Sequence, residues 1–271
     1  MTENRIDATL GSLRSAGKTA LVPFITVGFP DIEMSEALAE AIAGSGADML
    51  ELGVPFSDPL ADGPTIQMTS FRALQQGVTV RISLQVVRNL RAKGVEVPLI
   101  FMGYFNPFLR YGVEQLVRDA ADAGLDGMIV PDLPTEEVGP FKSLCERHGI
   151  YVTPLLAPTS TDRRIEQACK DANGFIYCVG VTGVTGARRG LTAGISELVT
   201  RVRLFTDLPI LVGFGVSERR HVEEIGRFAD GAVVGSALLD AIDKSPPDRV
   251  LDTARQFVTG LKTAESSGAQ P

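Results

Sequence analysis

Glu51 and Asp62 are the two residues of this chain best suited to do chemistry. They bracket the stretch Glu51-Leu-Gly-Val-Pro-Phe-Ser-Asp-Pro-Leu-Ala-Asp-Gly-Pro64. An apolar run from Ala47 precedes it and reads as a buried strand with Glu51 at its carboxyl end. Asp62 falls in the long loop beyond, which is longer than a simple connection needs. Carboxylates in different surroundings divide acid and base roles near neutral pH, on opposite sides of one substrate. The plainer alternative is a surface loop with helix-capping acids.

Glycines suggest an anion seat. Gly213-Phe-Gly-Val-Ser217 and Val234-Gly-Ser-Ala-Leu238 each follow an apolar run, and a helix is expected from near Ser236. Backbone N–H groups at such turns, with the positive end of a helix, hold phosphate without basic side chains. A second long loop, Gly180 to about Thr192, is glycine-rich and could close over the same group around Gly186. Tight-turn glycines and a tolerated surface insertion are the plain alternatives.

Other chemistries lack their residues. Lys18, Lys93, Lys142, Lys170, Lys244 and Lys262 all miss the expected strand ends, which disfavours a Schiff base. His148 and His221 fall in or near helices away from the expected active face, which disfavours a histidine metal site or a Ser–His dyad. Cys145, Cys169 and Cys178 are odd in number and form no C-x-x-C, so they read as buried packing residues. Tyr177 could join the carboxylates or merely fill a core.

Short runs of Val, Ile, Leu and Phe must position these groups. They fall at Leu21–Val27, Met49–Val54, Pro98–Met102, Gly127–Val130, Tyr151–Leu156, Phe175–Val179, Pro209–Val212 and Gly231–Val234. Each is bounded by Gly, Pro or Asp, as strands of a buried parallel sheet are. Helical stripes lie between them, such as Ile195, Leu198, Val199, Val202 and Phe205. The alternation predicts an α/β fold, a (β/α)8 TIM barrel, with chemistry at the strands' carboxyl ends. Ile6, Leu10 and Leu13 predict an extra N-terminal helix over the barrel floor. A doubly wound open sheet is the alternative, but no dinucleotide glycine fingerprint follows the first strand. One catalytic domain is expected over residues 1–263, with a small, polar, disordered tail over 264–271.

The length of 271 residues suits one such barrel. A net charge of −7 argues against a general nucleic-acid binder. No apolar run reaches membrane-span length and no signal-peptide core opens the chain, so a cytoplasmic location is expected.

The chain resembles the tryptophan synthase α subunit family over nearly its whole length. The resemblance is carried by Pro23-Phe-Ile-Thr-Val-Gly28, the Glu51–Pro64 stretch, Tyr104-Phe-Asn-Pro107, Pro131-Asp-Leu-Pro134, Gly183-Val-Thr-Gly186, Gly213-Phe-Gly215 and Gly235-Ser236. It implies a lyase that cleaves indole-3-glycerol phosphate to indole and D-glyceraldehyde 3-phosphate. Glu51 would be the general acid–base. Asp62 would hydrogen-bond the indole N–H, and Tyr177 would orient Glu51 or the substrate. Phe24, Met102, Ile129 and Phe214 would form the indole slot, with Thr185 on the lid. Gly186, Gly215, Gly235 and Ser236 would hold phosphate. No metal is implied. The resemblance also implies a β subunit carrying pyridoxal phosphate, in an α2β2 complex, met by Asp58, Pro59, Asn106, Pro107 and Pro134. Rival readings are another phosphosugar barrel enzyme, a non-catalytic phosphate-binding regulatory subunit, or a free-standing lyase that releases indole.

Overall fold

The computed structural model describes residues 4–180, 188–213 and 215–262, with the side chains of 188–193 left aside. Helix α1 (Arg5–Ser15) precedes β1 (Ala20–Thr26), and α2 (Ile32–Ala43) leads to β2 (Leu50–Gly53). Two helices, α3 (Pro64–Gln75) and α4 (Val80–Ala92), come before β3 (Leu99–Met102). Then α5 (Phe105–Tyr111) and α6 (Val113–Ala123) lead to β4 (Gly127–Ile129), and α7 (Gly139–Arg147) leads to β5 (Tyr151–Val152) and β6 (Leu155–Leu156). The last units are α8 (Asp162–Lys170), β7 (Ile176–Val179), α9 (Arg188–Val202), β8 (Ile210–Gly213), α10 (Arg219–Ile225) and β9 (Gly231–Val234). Helices α11 (Ser236–Asp243) and α12 (Val250–Leu261) follow, joined through Pro246 and a 3-10 turn.

All strand pairs are parallel, in the order β5-β4-β3-β2-β1-β9-β8-β7-β6. Both ends of that order are halves of the single strand expected over Tyr151–Leu156. Its first half pairs with β4 and its second half with β7. Pro154 has no N–H to give, and the strand changes partner there. The Thr153 N–H bonds Met128, and the Pro154 carbonyl accepts from Tyr177. The ring is therefore closed, which removes the open-sheet alternative. Its registers give a shear of about eight residues, the usual value for such barrels.

Alternation and register stack the inward side chains in tiers drawn from alternate strands. Val22, Ile100, Thr153 and Leu211 make one tier. Glu51, Ile129, Tyr177 and Val233 make the next toward the mouth. Phe24, Met102, Leu155 and Gly213 lie above them. Outward residues such as Leu50, Leu52, Val152 and Leu156 pack in the separate shell against the helices.

Helix α1 closes the floor, as its stripe predicts. Ile6 and Leu10 are buried with Ala20, Met49, Ile100 and Phe175. Each such burial contributes roughly 1.5–3 kcal/mol. Asn4 caps the helix by accepting from Ile6 N–H, and its amide donates to the carbonyls of Asp126 and Gly149. Asp126 is the anchor below. Its carboxylate accepts from Leu99 N–H at 2.8 Å, Arg91 at 2.5 Å and Arg5 at 3.1 Å. The Arg91 and Asp126 side chains are only 12% and 5% exposed. Arg91→Ala leaves that carboxylate buried without its main partner. The expected loss is about 3 kcal/mol of stability, read from urea unfolding.

The structure departs from the sequence reading at one helix start. Residues 188–192, expected in the second long loop, already belong to α9. Arg188, Arg189 and Leu191 are good helix formers and outweigh Gly190. The tail expected over 264–271 lies outside the described residues.

Candidate active site

Glu51 sits in the barrel lumen and is 1% exposed. It is the second residue of β2, not the last, so it lies one tier deeper than a strand-end residue. Its Oε1 is buried without a hydrogen-bond partner. Burial, then the nearby charge of Asp62, pushes its carboxyl up from 4.5 to about 8. Glu51 thus holds its proton at neutral pH.

Asp62 lies in the segment between β2 and α3. Its N–H donates to Pro59, and its carbonyl accepts from the Gln67 side chain. Burial raises its carboxyl from 3.8 to about 6, against a hydrogen bond from Tyr104 that holds it down. Near neutral pH one carboxyl is protonated and the other ionised, the division that acid–base work requires.

Tyr104 was not singled out from sequence for any role. Its hydroxyl accepts from Ala61 N–H at 2.9 Å, and its ring packs on Phe56 with centroids 5.2 Å apart. It pins the loop that carries Asp62. The available signal was its place two residues beyond β3, in a motif already noted. Tyr104→Phe removes a bond that favours the ionised Asp62. The expected result is a roughly tenfold lower kcat and a further rise of the Asp62 carboxyl, seen as an upward shift of the acid limb of the pH–rate profile.

Tyr177 shares the tier of Glu51, and burial followed by the charges of Glu51 and Asp62 raises its phenol well above the usual value. Its hydroxyl lies over the backbone of Gly213, where a Cβ would come within 2.4 Å of it. Gly213 therefore leaves the room that Tyr177 occupies. The Phe24 ring takes similar room against Gly53 and reaches the backbone of Gly235. By register, Ile129 faces the lumen in the tier of Glu51, and Phe24 and Met102 in the tier above it. Leu155 completes the apolar wall and was missed, because the sequence does not show which face of a broken strand turns inward.

Gly215 follows β8 with φ 51°, a left-handed conformation that favours glycine. Gly235 is the N-cap of α11, and no side chain caps that helix. Ser236 opens its first turn, so backbone donors and the helix dipole converge there. His221 lies in the first turn of α10, nearer the mouth than expected. Its Nδ1 accepts from Ser217 N–H at 3.2 Å and braces the loop after β8. Thr185, Gly186 and Phe214 lie outside the described residues. Asp58 and Pro59 follow β2, Asn106 and Pro107 lie in the first turn of α5 after β3, and Pro134 follows β4, on neighbouring β-to-α connections. The Asp132 carboxylate ties two of these together by accepting from Phe105 N–H. Cys145, Cys169 and Cys178 are buried, and desolvation raises their thiols to about 12, 11 and 12. Among the described residues, no group of His, Cys, Asp and Glu could hold a metal ion.

Known proteins share this fold along almost the whole chain. The family model of the tryptophan synthase alpha chain matches residues 10–266. The chain belongs to this family. The tryptophan synthase alpha chain of Roseiflexus sp. (strain RS-1) is 49% identical, covering 96% of this chain and 99% of its own. That of Geobacter sulfurreducens is 45% identical, covering 96% and 98%. Among solved structures, tryptophan synthase subunit alpha from Legionella pneumophila str. Paris superposes with a TM-score of 0.88 at 35% identity, over 96% of this chain and 97% of that one. A chain of the aminoacrylate-bound tryptophan synthase from M. tuberculosis gives 0.86 at 35% identity, over 96% and 98%.

Proposed function

We propose that this chain is the lyase that cleaves indole-3-glycerol phosphate to indole and D-glyceraldehyde 3-phosphate, acting as one catalytic domain over residues 1–263. The observation that carries the mechanism is a Glu51 carboxyl sealed in the lumen within reach of the Asp62 charge, the setting that keeps Glu51 protonated while Asp62 ionises. Glu51 gives its proton to ring carbon 3, which leaves a positively charged indolenium. Asp62 accepts a hydrogen bond from the ring N–H and stabilises that charge. Glu51, now a carboxylate, takes the proton of the adjacent side-chain hydroxyl. The oxygen electrons form the aldehyde carbonyl, and the electrons of the broken carbon–carbon bond return to the ring. Glu51 ends as it began.

Tyr177 orients Glu51 or the substrate across the lumen. Phe24, Met102 and Ile129, with Phe214, suit a flat apolar ring. Gly215, Gly235 and Ser236, with Gly186, seat the phosphate on backbone N–H groups. Thr185 acts on the lid. These groups suit a substrate with an aromatic ring at one end and an anion at the other.

The exposed mouth supports a partner. Leu60 is 93% exposed beside Asp58 and Pro59, and Leu109 is 60% exposed near Asn106 and Pro107. Such apolar exposure, with Pro134 beside it, fits docking of a tryptophan synthase β subunit in an α2β2 complex. Pyridoxal phosphate would belong to that subunit. Among the described residues no helix is long and apolar enough to cross a membrane.

The test is indole release from indole-3-glycerol phosphate by the purified chain, with and without a β subunit. Release that rises with the partner is expected. Substrate binding with no release in either arm would favour the non-catalytic regulatory subunit.

A further inference from the structure

Only two buried side-chain oxygens among the described residues lack a hydrogen-bond partner, Glu51 Oε1 and Thr153 Oγ1. They are far apart in sequence, yet register places them in adjacent tiers of the same lumen. Thr153 alternates with Tyr151 and Leu155, which pack against the inner cluster, while Val152 and Leu156 join the outer one. Its hydroxyl therefore faces the axis, one tier below Glu51. Both residues are sealed, at 1% and 3% exposure. We propose that Thr153 is a positioning residue for Glu51, holding its inner carboxyl oxygen from below through one buried water.

The rest of Thr153's tier is Val22, Ile100 and Leu211. Valine would fill that place with the same outline and no orphaned hydroxyl, which is costly to bury unpaired. A hydroxyl supplies one donor and two acceptor sites, and a buried water is stable with two to four polar partners. Thr153 Oγ1 and Glu51 Oε1 supply two, and Tyr177 is the other polar residue in the tier of Glu51. The titratable groups that act on Glu51 are Asp62 from the loop above and Tyr177 across the lumen. The remaining residues of its own tier, Ile129 and Val233, are apolar. When Glu51 has given its proton to the ring, the carboxylate is left in this apolar lumen. A water that donates to it from beneath steadies that charge until the substrate hydroxyl returns a proton.

This inference rests on Glu51 being the proton donor, and the experiment separates the two claims. Thr153→Val, Thr153→Ser and Glu51→Gln are assayed as full chains with the β subunit over the alkaline limb of kcat/KM. The carboxylic-acid stretch of Glu51 is followed by infrared spectroscopy and assigned by its disappearance in Glu51→Gln. Thr153→Val is expected to move the alkaline limb up by about one pH unit, the effect of one lost hydrogen bond to a charge. It should lower kcat about tenfold with KM unchanged, and shift the stretch upward in frequency. Thr153→Ser should restore all three. Wild-type limb, kcat and stretch in Thr153→Val, with Glu51→Gln inactive, would overturn the role of Thr153 alone. Full turnover in Glu51→Gln would overturn the underlying assignment and this inference with it.

Discussion

Glu51→Gln lowers indole release at least a thousandfold while substrate binding stays within a few-fold of wild type. One side chain performs both proton transfers, each worth about 10²–10⁴ in rate, and glutamine can perform neither. Its amide keeps the volume, so the apolar wall and the phosphate seat are undisturbed. The expected signature is a collapse of kcat with little change in ligand affinity, measured by single-turnover kinetics and equilibrium binding. The same variant gains stability relative to wild type as pH rises from about 4.5 to about 8. A carboxyl raised from 4.5 to about 8 by folding leaves the protein most stable below the lower value. Stability is lost as pH rises toward the upper value, because the unfolded chain ionises Glu51 freely and the folded one resists. Glutamine removes that loss, so the stability gap between variant and wild type should widen over that window, reaching about 5 kcal/mol.

A bell-shaped dependence of kcat/KM on pH is the second large effect. Asp62 must be ionised, so the rate falls below about 6. Glu51 must be protonated, so the rate falls above about 8. Asp62→Asn removes the charge that stabilises the indolenium and should cost about a hundredfold in kcat. It should also remove the part of the acid limb that belongs to Asp62. A limb left unchanged in that variant would belong to the substrate phosphate, which titrates in the same region.

Much of this was legible in the sequence, because parallel strands buried on both faces read as plain apolar runs and carboxylates among them stand out. The floor helix was legible for a similar reason, Ile6 and Leu10 recurring at helical spacing with nothing else to cover. Depth was not legible. That Glu51 lies one tier inside the mouth follows from the shear of the closed ring, which no local spacing encodes. The partner change at Thr153 and Pro154 was hidden too, since it depends on two neighbouring strands. Tyr104 escaped notice because its partners, Ala61 and Asp62, are set by how the loop folds back over β3.

The central claim is that Glu51 carries a proton at neutral pH inside the barrel. Carbon-13 NMR of the protein labelled at glutamate carboxyls tests it directly, with Glu51→Gln used to assign the resonance. A midpoint near 8 is expected for Glu51. A midpoint near the ordinary glutamate value of about 4.3 would contradict the account, because the residue would then have no proton to give.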